Sequence, residues 1–179
     1  AASRLDEAEA SIRDDREIRV DLPDTAVPLR REVLRLEGVR PAYGDLEIDL
    51  DVRGPERIGL TGRNGSGKTS LLRTITGERE PAAGSVDVKV PWRHLPQAMD
   101  VLDAELTVAQ NIARIAPQAS ETDRRSRLAR FLFRGRDADQ LASTLSGGER
   151  LRATLASLLL AEPAPQLLLM DEPTNNLDL

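Results

Sequence analysis

A mixed α/β fold is predicted for this chain, with an antiparallel β layer beside a parallel core and a helical subdomain. Three observations carry that expectation. Leu46, Ile48, Leu50 and Val52 alternate with Glu47, Asp49, Asp51 and Arg53, the pattern of a half-buried antiparallel strand. Leu167-Leu168-Leu169-Met170 is instead a continuous apolar run bounded by Pro165 and Pro173, as expected of a strand covered on both faces in a parallel sheet. Between Glu105 and Leu141 the apolar spacing is mostly helical.

At 179 residues the chain has room for one domain with a sizeable core, or one domain and an appendage. The net charge is -5 with no long basic tract, so nucleic-acid binding through bulk charge is not expected. The absence of cysteine excludes a disulfide framework and a thiolate metal site, and is compatible with a reducing cytoplasm. The longest apolar stretches, Leu155 to Ala161 and Leu167 to Met170, fall far short of the roughly 20 residues that span a bilayer, so no membrane insertion is expected. The first ten residues lack the apolar core and cleavage site of a signal peptide, and the chain does not begin with Met. Among 25 basic residues only Lys68 and Lys89 are lysines. Aromatics are limited to Tyr43, Trp92, Phe131 and Phe133, so the core must be built from Leu, Ile, Val and Ala.

In chain order, Leu5, Ala8 and Ile12 recur at helical spacing among dense alternating charges, as in a solvent-exposed helix with i,i+4 pairs. Ile18, Val20 and Leu22 then alternate until Pro23 and Pro28 interrupt them, which places a linker over residues 1–31 and the domain over 32–179. Leu34 and Leu36 alternate with charges and predict a first strand. Arg57-Ile58-Gly59-Leu60-Thr61 is a short apolar run that reads as a buried strand. Leu71, Leu72 and Ile75 mark the apolar side of a helix that Gly77 can close. Val86, Val88 and Val90 predict a further strand after the turn signal Pro81-Ala82-Ala83-Gly84. Leu128, Phe131 and Leu132 define one face of a helix with Arg127, Arg130 and Arg134 on its flank. That arginine stripe reads as a solvated surface, or as a contact for RNA phosphates.

The chemistry starts at Gly62-Arg63-Asn64-Gly65-Ser66-Gly67-Lys68-Thr69, which fits the phosphate-binding pattern G-x-x-x-x-G-K-[ST]. Strand, loop and helix occur in the order such a site needs. The glycines let consecutive backbone N–H groups converge on the phosphates of a nucleoside triphosphate, Lys68 supplies a point charge for the outer phosphates, and the Thr69 hydroxyl can sit on Mg²⁺. The helix N-terminus adds its partial positive charge.

Leu145-Ser146-Gly147-Gly148-Glu149 precedes a helix marked by Leu151, Leu155, Leu158 and Leu159. Ser146 and Glu149 have the spacing of a capping box, and the two glycines would allow another molecule's phosphate to approach the exposed N–H groups. Asp171 and Glu172 then stand at the end of the apolar run. Asp171 is suited to holding Mg²⁺ directly or through water, and Glu172 to polarising an attacking water.

Phosphate loop, Ser146 segment and Asp171-Glu172, in that order, closely resemble the nucleotide-binding domain of the ABC ATPases over residues 33–179. The resemblance implies a P-loop NTPase core of the ABC type, binding of ATP with Mg²⁺, and hydrolysis between two head-to-tail domains with ATP in the seam. It implies that Gln97 reaches Mg²⁺ and the attacking water, so that Thr69, Gln97 and Asp171 surround the metal while Glu172 and Gln97 serve catalysis. It implies that Ser70 touches the α-phosphate side, and that Ser146, Gly147, Gly148 and Glu149 complete the ATP site of an opposing domain. Asn176, Leu177 and Asp178 correspond to the D-loop. Tyr43 resembles the aromatic that stacks on adenine, or simply packs at a strand end. The family's switch histidine lies downstream of the Asp178 segment. His94, the single histidine, lies upstream and reads as structural, so the chain is expected to be a C-terminally incomplete piece of a longer gene product.

Leu145 to Ala156 together with Asp171 to Leu179 look most like the ABC-F group, soluble proteins with two nucleotide-binding domains in one chain that act on ribosomes as translation factors or antibiotic-resistance proteins. The charged segment ending near Arg16 and the extended one through Pro28 resemble the end of the ABC-F interdomain linker, which would make this the second domain. The implied partners are a second nucleotide-binding domain and the ribosome with its RNA, and the implied location is the cytoplasm. The alternatives are the ATP-binding subunit of a membrane transporter and, more weakly, a chromosome or DNA-repair ATPase.

Overall fold

The charged, alternating sequences expected to be strands pair with one another. In a computed structural model of the chain, which describes residues 22, 25–43 and 46–172, β1 (Arg31–Arg40) is the centre of a three-stranded sheet between β2 (Ile48–Gly54) and β3 (Ala83–Val88). Both pairings are antiparallel: Leu36 lies opposite Leu50 on one side and Val86 on the other. The central strand has neighbours on both edges, which explains why Val33, Leu34, Leu36 and Val39 of β1 are all buried while β3 keeps mostly exposed residues. Lys89 N–H donates to Val33 O at 2.9 Å and carries the ladder past β3, bringing Val90 into the core.

The helix after the phosphate loop is α1 (Lys68–Ile75). It buries Leu71, Leu72, Thr74 and Ile75 against the three-stranded sheet. Gly77, with φ 74°, turns the chain out of the helix, and its N–H donates to Thr74 O at 3.2 Å, as a left-handed C-terminal glycine does.

A second, two-stranded sheet joins β4 (Trp92–Leu95) to β5 (Leu167–Met170) in parallel, with Leu95 opposite Met170. The expected parallel pairing is present, but cover on both faces is not: Leu169 is buried whereas Met170 is 40% exposed. The other expected strand departs further. Arg57 to Thr61 forms no strand, and Ile58 and Leu60 are 53% and 47% exposed. Among the described residues no strand lies beside that segment to complete a ladder, and a run of apolar residues has the same signature whether or not such a neighbour is supplied.

Three helices form the other half. α2 (Val108–Ile115) begins at a capping box in which Thr107 Oγ1 accepts from Gln110 N–H at 3.1 Å and Gln110 Oε1 from Thr107 N–H at 2.8 Å. α3 (Glu121–Arg130) begins at Ser120, whose Oγ accepts from Asp123 N–H at 3.1 Å. α4 (Gly147–Leu159) begins at Ser146. Val108, Ile112, Leu128, Phe131, Phe133, Ala153 and Ala156 enclose one another in a core separate from that of the three-stranded sheet. The helical face expected at Leu128, Phe131 and Leu132 is corrected at its end. α3 stops at Arg130, Leu132 takes a left-handed φ of 68°, and Phe133 turns into the core instead. Periodicity extrapolates a helix beyond the residue where this turn ends it.

The linker helix expected near Leu5 to Ile12, the alternation through Val20, and Asn176 to Asp178 lie outside the described residues.

Candidate nucleotide site

The loop from Gly62 to Lys68 is wound tightly enough to demand its glycines. Gly65 and Gly67 have φ of 81° and 94°, and a Cβ on Gly62 would stand 2.7 Å from Ser66 Oγ. Ser66 N–H donates to Arg63 O at 3.1 Å, and Leu71 N–H to Gly67 O at 2.8 Å starts the helix. Lys68 Nζ donates to Gly62 O at 2.9 Å and Arg63 O at 3.2 Å, so the ammonium is centred on the loop it closes. The Ser70 hydroxyl is enclosed with no hydrogen-bond partner.

Parallel pairing of β4 with β5 sets the second half of the site. Asp171 N–H donates to Leu95 O at 3.0 Å and adds one more rung. The chains leave the sheet side by side, Pro96-Gln97 from one strand and Asp171-Glu172 from the other. Gln97 Nε2 donates to Glu172 Oε2 at 3.1 Å. Glu172 adopts a φ of 49°, unusual for a residue with a side chain and a form of local strain that clusters at functional sites. Asp171 is only 4% exposed.

Thr69, Gln97 and Asp171, remote in sequence, line a single cleft of about 760 Å³ together with Arg73, Glu78 and His94. Their hydroxyl, amide and carboxylate oxygens are hard donors of the kind Mg²⁺ takes, usually with one or two carboxylates and the phosphates of its nucleotide. No group of three or more His, Cys, Asp or Glu suited to a metal occurs among the described residues. His94 Nδ1 lies 3.5 Å from Glu78 Oε1 in a side chain 10% exposed.

Tyr43 lines a small cleft with Leu46, Leu60, Ser66, Gly67 and Lys68, so it stands beside the phosphate loop. It is 65% exposed, and the Arg79 guanidinium carbon lies 4.8 Å from its ring centroid. Sequence reading missed Arg79, and also Arg73 and Glu78. They follow the loop through a helix and a turn, and no motif spacing marks them.

The Ser146 segment is built as expected. Ser146 N–H and Oγ both donate to Glu149 Oε2, at 2.9 and 2.6 Å, and Glu149 N–H returns to Ser146 Oγ at 3.4 Å. The Ser146 hydrogen bonds, side chain first and then backbone, hold the Glu149 carboxyl below its ordinary value, and Arg152 adds to the effect. Ser146, Gly147 and Gly148 are exposed, and a Cβ on Gly147 would meet nothing within 4 Å. None of these residues lines the cleft of Thr69 and Asp171, which α4 reaches through Leu158.

Residues 46–175 match the family described as ABC transporter. This chain belongs to the ABC transporter family. Two relatives cover most of it. The ATP-binding protein YheS of Escherichia coli K12 is 38% identical over 159 residues, 84% of this chain and 24% of YheS. The energy-dependent translational throttle protein EttA of the same organism is 35% identical over 158 residues, 83% of this chain and 28% of EttA. The chain thus spans about a quarter of the length of these relatives. Solved structures share the fold: a metal-chelate type ABC transporter in an inward-facing conformation (TM-score 0.68, 23% identity, 82% of this chain and 62% of that one) and the ATP-binding subunit of an ABC transporter (TM-score 0.64, 23% identity, 82% and 68%). As a member of the ABC family the chain is an ATP-binding domain of mixed α/β architecture. No described helix is long and apolar enough to cross a membrane.

Proposed function

We propose that this ABC domain hydrolyses ATP as the second nucleotide-binding domain of an ABC-F type protein, and that the protein acts on the ribosome. The 3.1 Å contact between Gln97 and Glu172, beside Asp171 and Thr69, is the observation that carries the ATPase half. Bound ATP with Mg²⁺ supplies the phosphoanhydride to be cleaved and a cation that neutralises its charge. Lys68 and the loop N–H groups hold the phosphates, with Thr69 and Asp171 placed to hold the cation and Ser70 on the α-phosphate side. Glu172 accepts a proton from the attacking water, and Gln97 orients both the carboxylate and that water. Tyr43 offers its ring to the adenine. The Ser146 to Glu149 segment, exposed at Ser146, Gly147 and Gly148, closes the phosphate site of a second domain, and Asn176 to Asp178 join that seam.

The ribosomal half is supported by the likeness of the Ser146 and Asp171 segments to the ABC-F group and by 35% identity to a relative named for throttling translation. ATP binding would select the closed, ribosome-bound state and hydrolysis would reset it. A role as a cytoplasmic translation factor and one in antibiotic resistance both follow from this reading.

The test is co-sedimentation of the full-length protein with ribosomes in ATP. Glu172→Gln should sediment with them and Lys68→Ala should not. If neither form sediments, the ribosomal reading falls and the ATP-binding subunit of a transporter becomes the better account.

A further inference from the structure

Tyr43 is 65% exposed on a loop. Two contacts locate it. A Cβ on Gly67 would stand 3.2 Å from Tyr43 O, so the Tyr43 backbone lies against the phosphate loop. The Arg79 guanidinium carbon lies 4.8 Å from the ring centroid, inside the roughly 6 Å reach of a cation–π contact. Arg79 is held in turn by the turn that ends α1: Gly77 takes φ 74°, and Arg79 N–H donates to Arg73 O at 3.1 Å.

The two residues line different cavities. Tyr43 faces the cleft of Ser66, Gly67 and Lys68, whereas Arg79 lines a separate one with Thr74, Ile75, Thr76 and Gly77. α1 carries Lys68 and Thr69 at its start, and the turn that ends it folds Arg79 back against Arg73, so phosphate and base contacts would be referenced to the same helix and its terminal turn.

We propose that Arg79 is a positioning residue for the nucleotide base, holding the Tyr43 ring as a preformed platform beside the phosphate loop. The inference rests on the reading of Tyr43 as the adenine-stacking residue. A fixed ring reduces the ordering cost of binding, and a cation–π contact at an exposed site corresponds to about two- to five-fold in affinity.

The experiment measures dissociation constants of the full-length protein for ATP and for inorganic tripolyphosphate, at one Mg²⁺ concentration and ionic strength. Arg79→Ala should weaken ATP about two- to five-fold and leave tripolyphosphate unchanged, and Arg79→Lys should recover most of the loss. Tyr43→Ala should also weaken ATP selectively. Equal losses for both ligands in Arg79→Ala would reduce Arg79 to a distant charge and overturn the proposal. Tighter ATP binding would make it a competitor of the base, with the same result. If Tyr43→Ala is selective and Arg79→Ala is not, Arg79 is overturned while the base platform stands. If Tyr43→Ala leaves the ratio of the two affinities unchanged, the platform reading fails and the role of Arg79 fails with it.

Discussion

Gln97 donates to Glu172 across 3.1 Å although 75 positions separate them in the chain. The contact follows from the parallel ladder, which sets Leu95 opposite Met170 and extends through Asp171 N–H to Leu95 O. One sheet register thus fixes two groups assigned to the same water. Replacing Glu172 by Gln keeps the size of the side chain and removes its basicity. ATP binding should persist in the full-length protein while turnover falls roughly 10²- to 10⁴-fold, the usual contribution of general-base catalysis. Wild-type rates of phosphate release under single-turnover conditions would refute the role of Glu172.

Lys68 now donates to two loop carbonyls, and a phosphate would exchange those neutral partners for charged ones. Charge-assisted hydrogen bonds contribute about 1.5–3 kcal/mol, so Lys68→Ala should weaken ATP by about 10- to 150-fold. Titration calorimetry reads this directly, and an unchanged dissociation constant would remove Lys68 from phosphate binding.

The Ser146–Glu149 cap predicts a pH dependence. Hydrogen bonding lowers the Glu149 carboxyl in the folded chain, so its stabilising contribution is present above the ordinary unfolded value and is lost as pH falls through the lower folded value. Amide exchange at the start of α4 should accelerate on acidification in that window in the wild type. Glu149→Gln should remove this component, and retention of the same acid response in that variant would assign it elsewhere. Ser146→Ala should cost about 0.5–2 kcal/mol of stability.

Leu128 is fully enclosed between the helices. Leu128→Ala should destabilise by about 2–5 kcal/mol through lost transfer energy and the cavity left behind. Denaturant titration of the purified variant checks this, and a loss under 1 kcal/mol would mean that the helical core closes readily around the gap.

Much of the fold was legible because its signals are local. Leu34 to Leu36, Ile48 to Val52 and Val86 to Val88 alternate and become the antiparallel sheet, while Leu46 stays outside it and exposed; the Thr69 and Ser146 segments carry their own turn and cap chemistry. Helical spacing does not mark the left-handed Leu132 that follows the end of α3. The Arg57 to Thr61 run has the composition of a strand without the neighbour that would make it one among the described residues.

The sequence by itself determined the phosphate loop, the capping box and the family likeness, since each is written in residues adjacent or a few positions apart and depends on backbone geometry that those residues impose. The family likeness already implied that Thr69, Gln97 and Asp171 meet at one metal; tertiary structure supplied the cleft that they line and the Gln97–Glu172 contact, and it alone brought Arg79 to the Tyr43 ring. Those juxtapositions depend on strand register and on where a helix ends, which distant parts of the chain set by packing against one another.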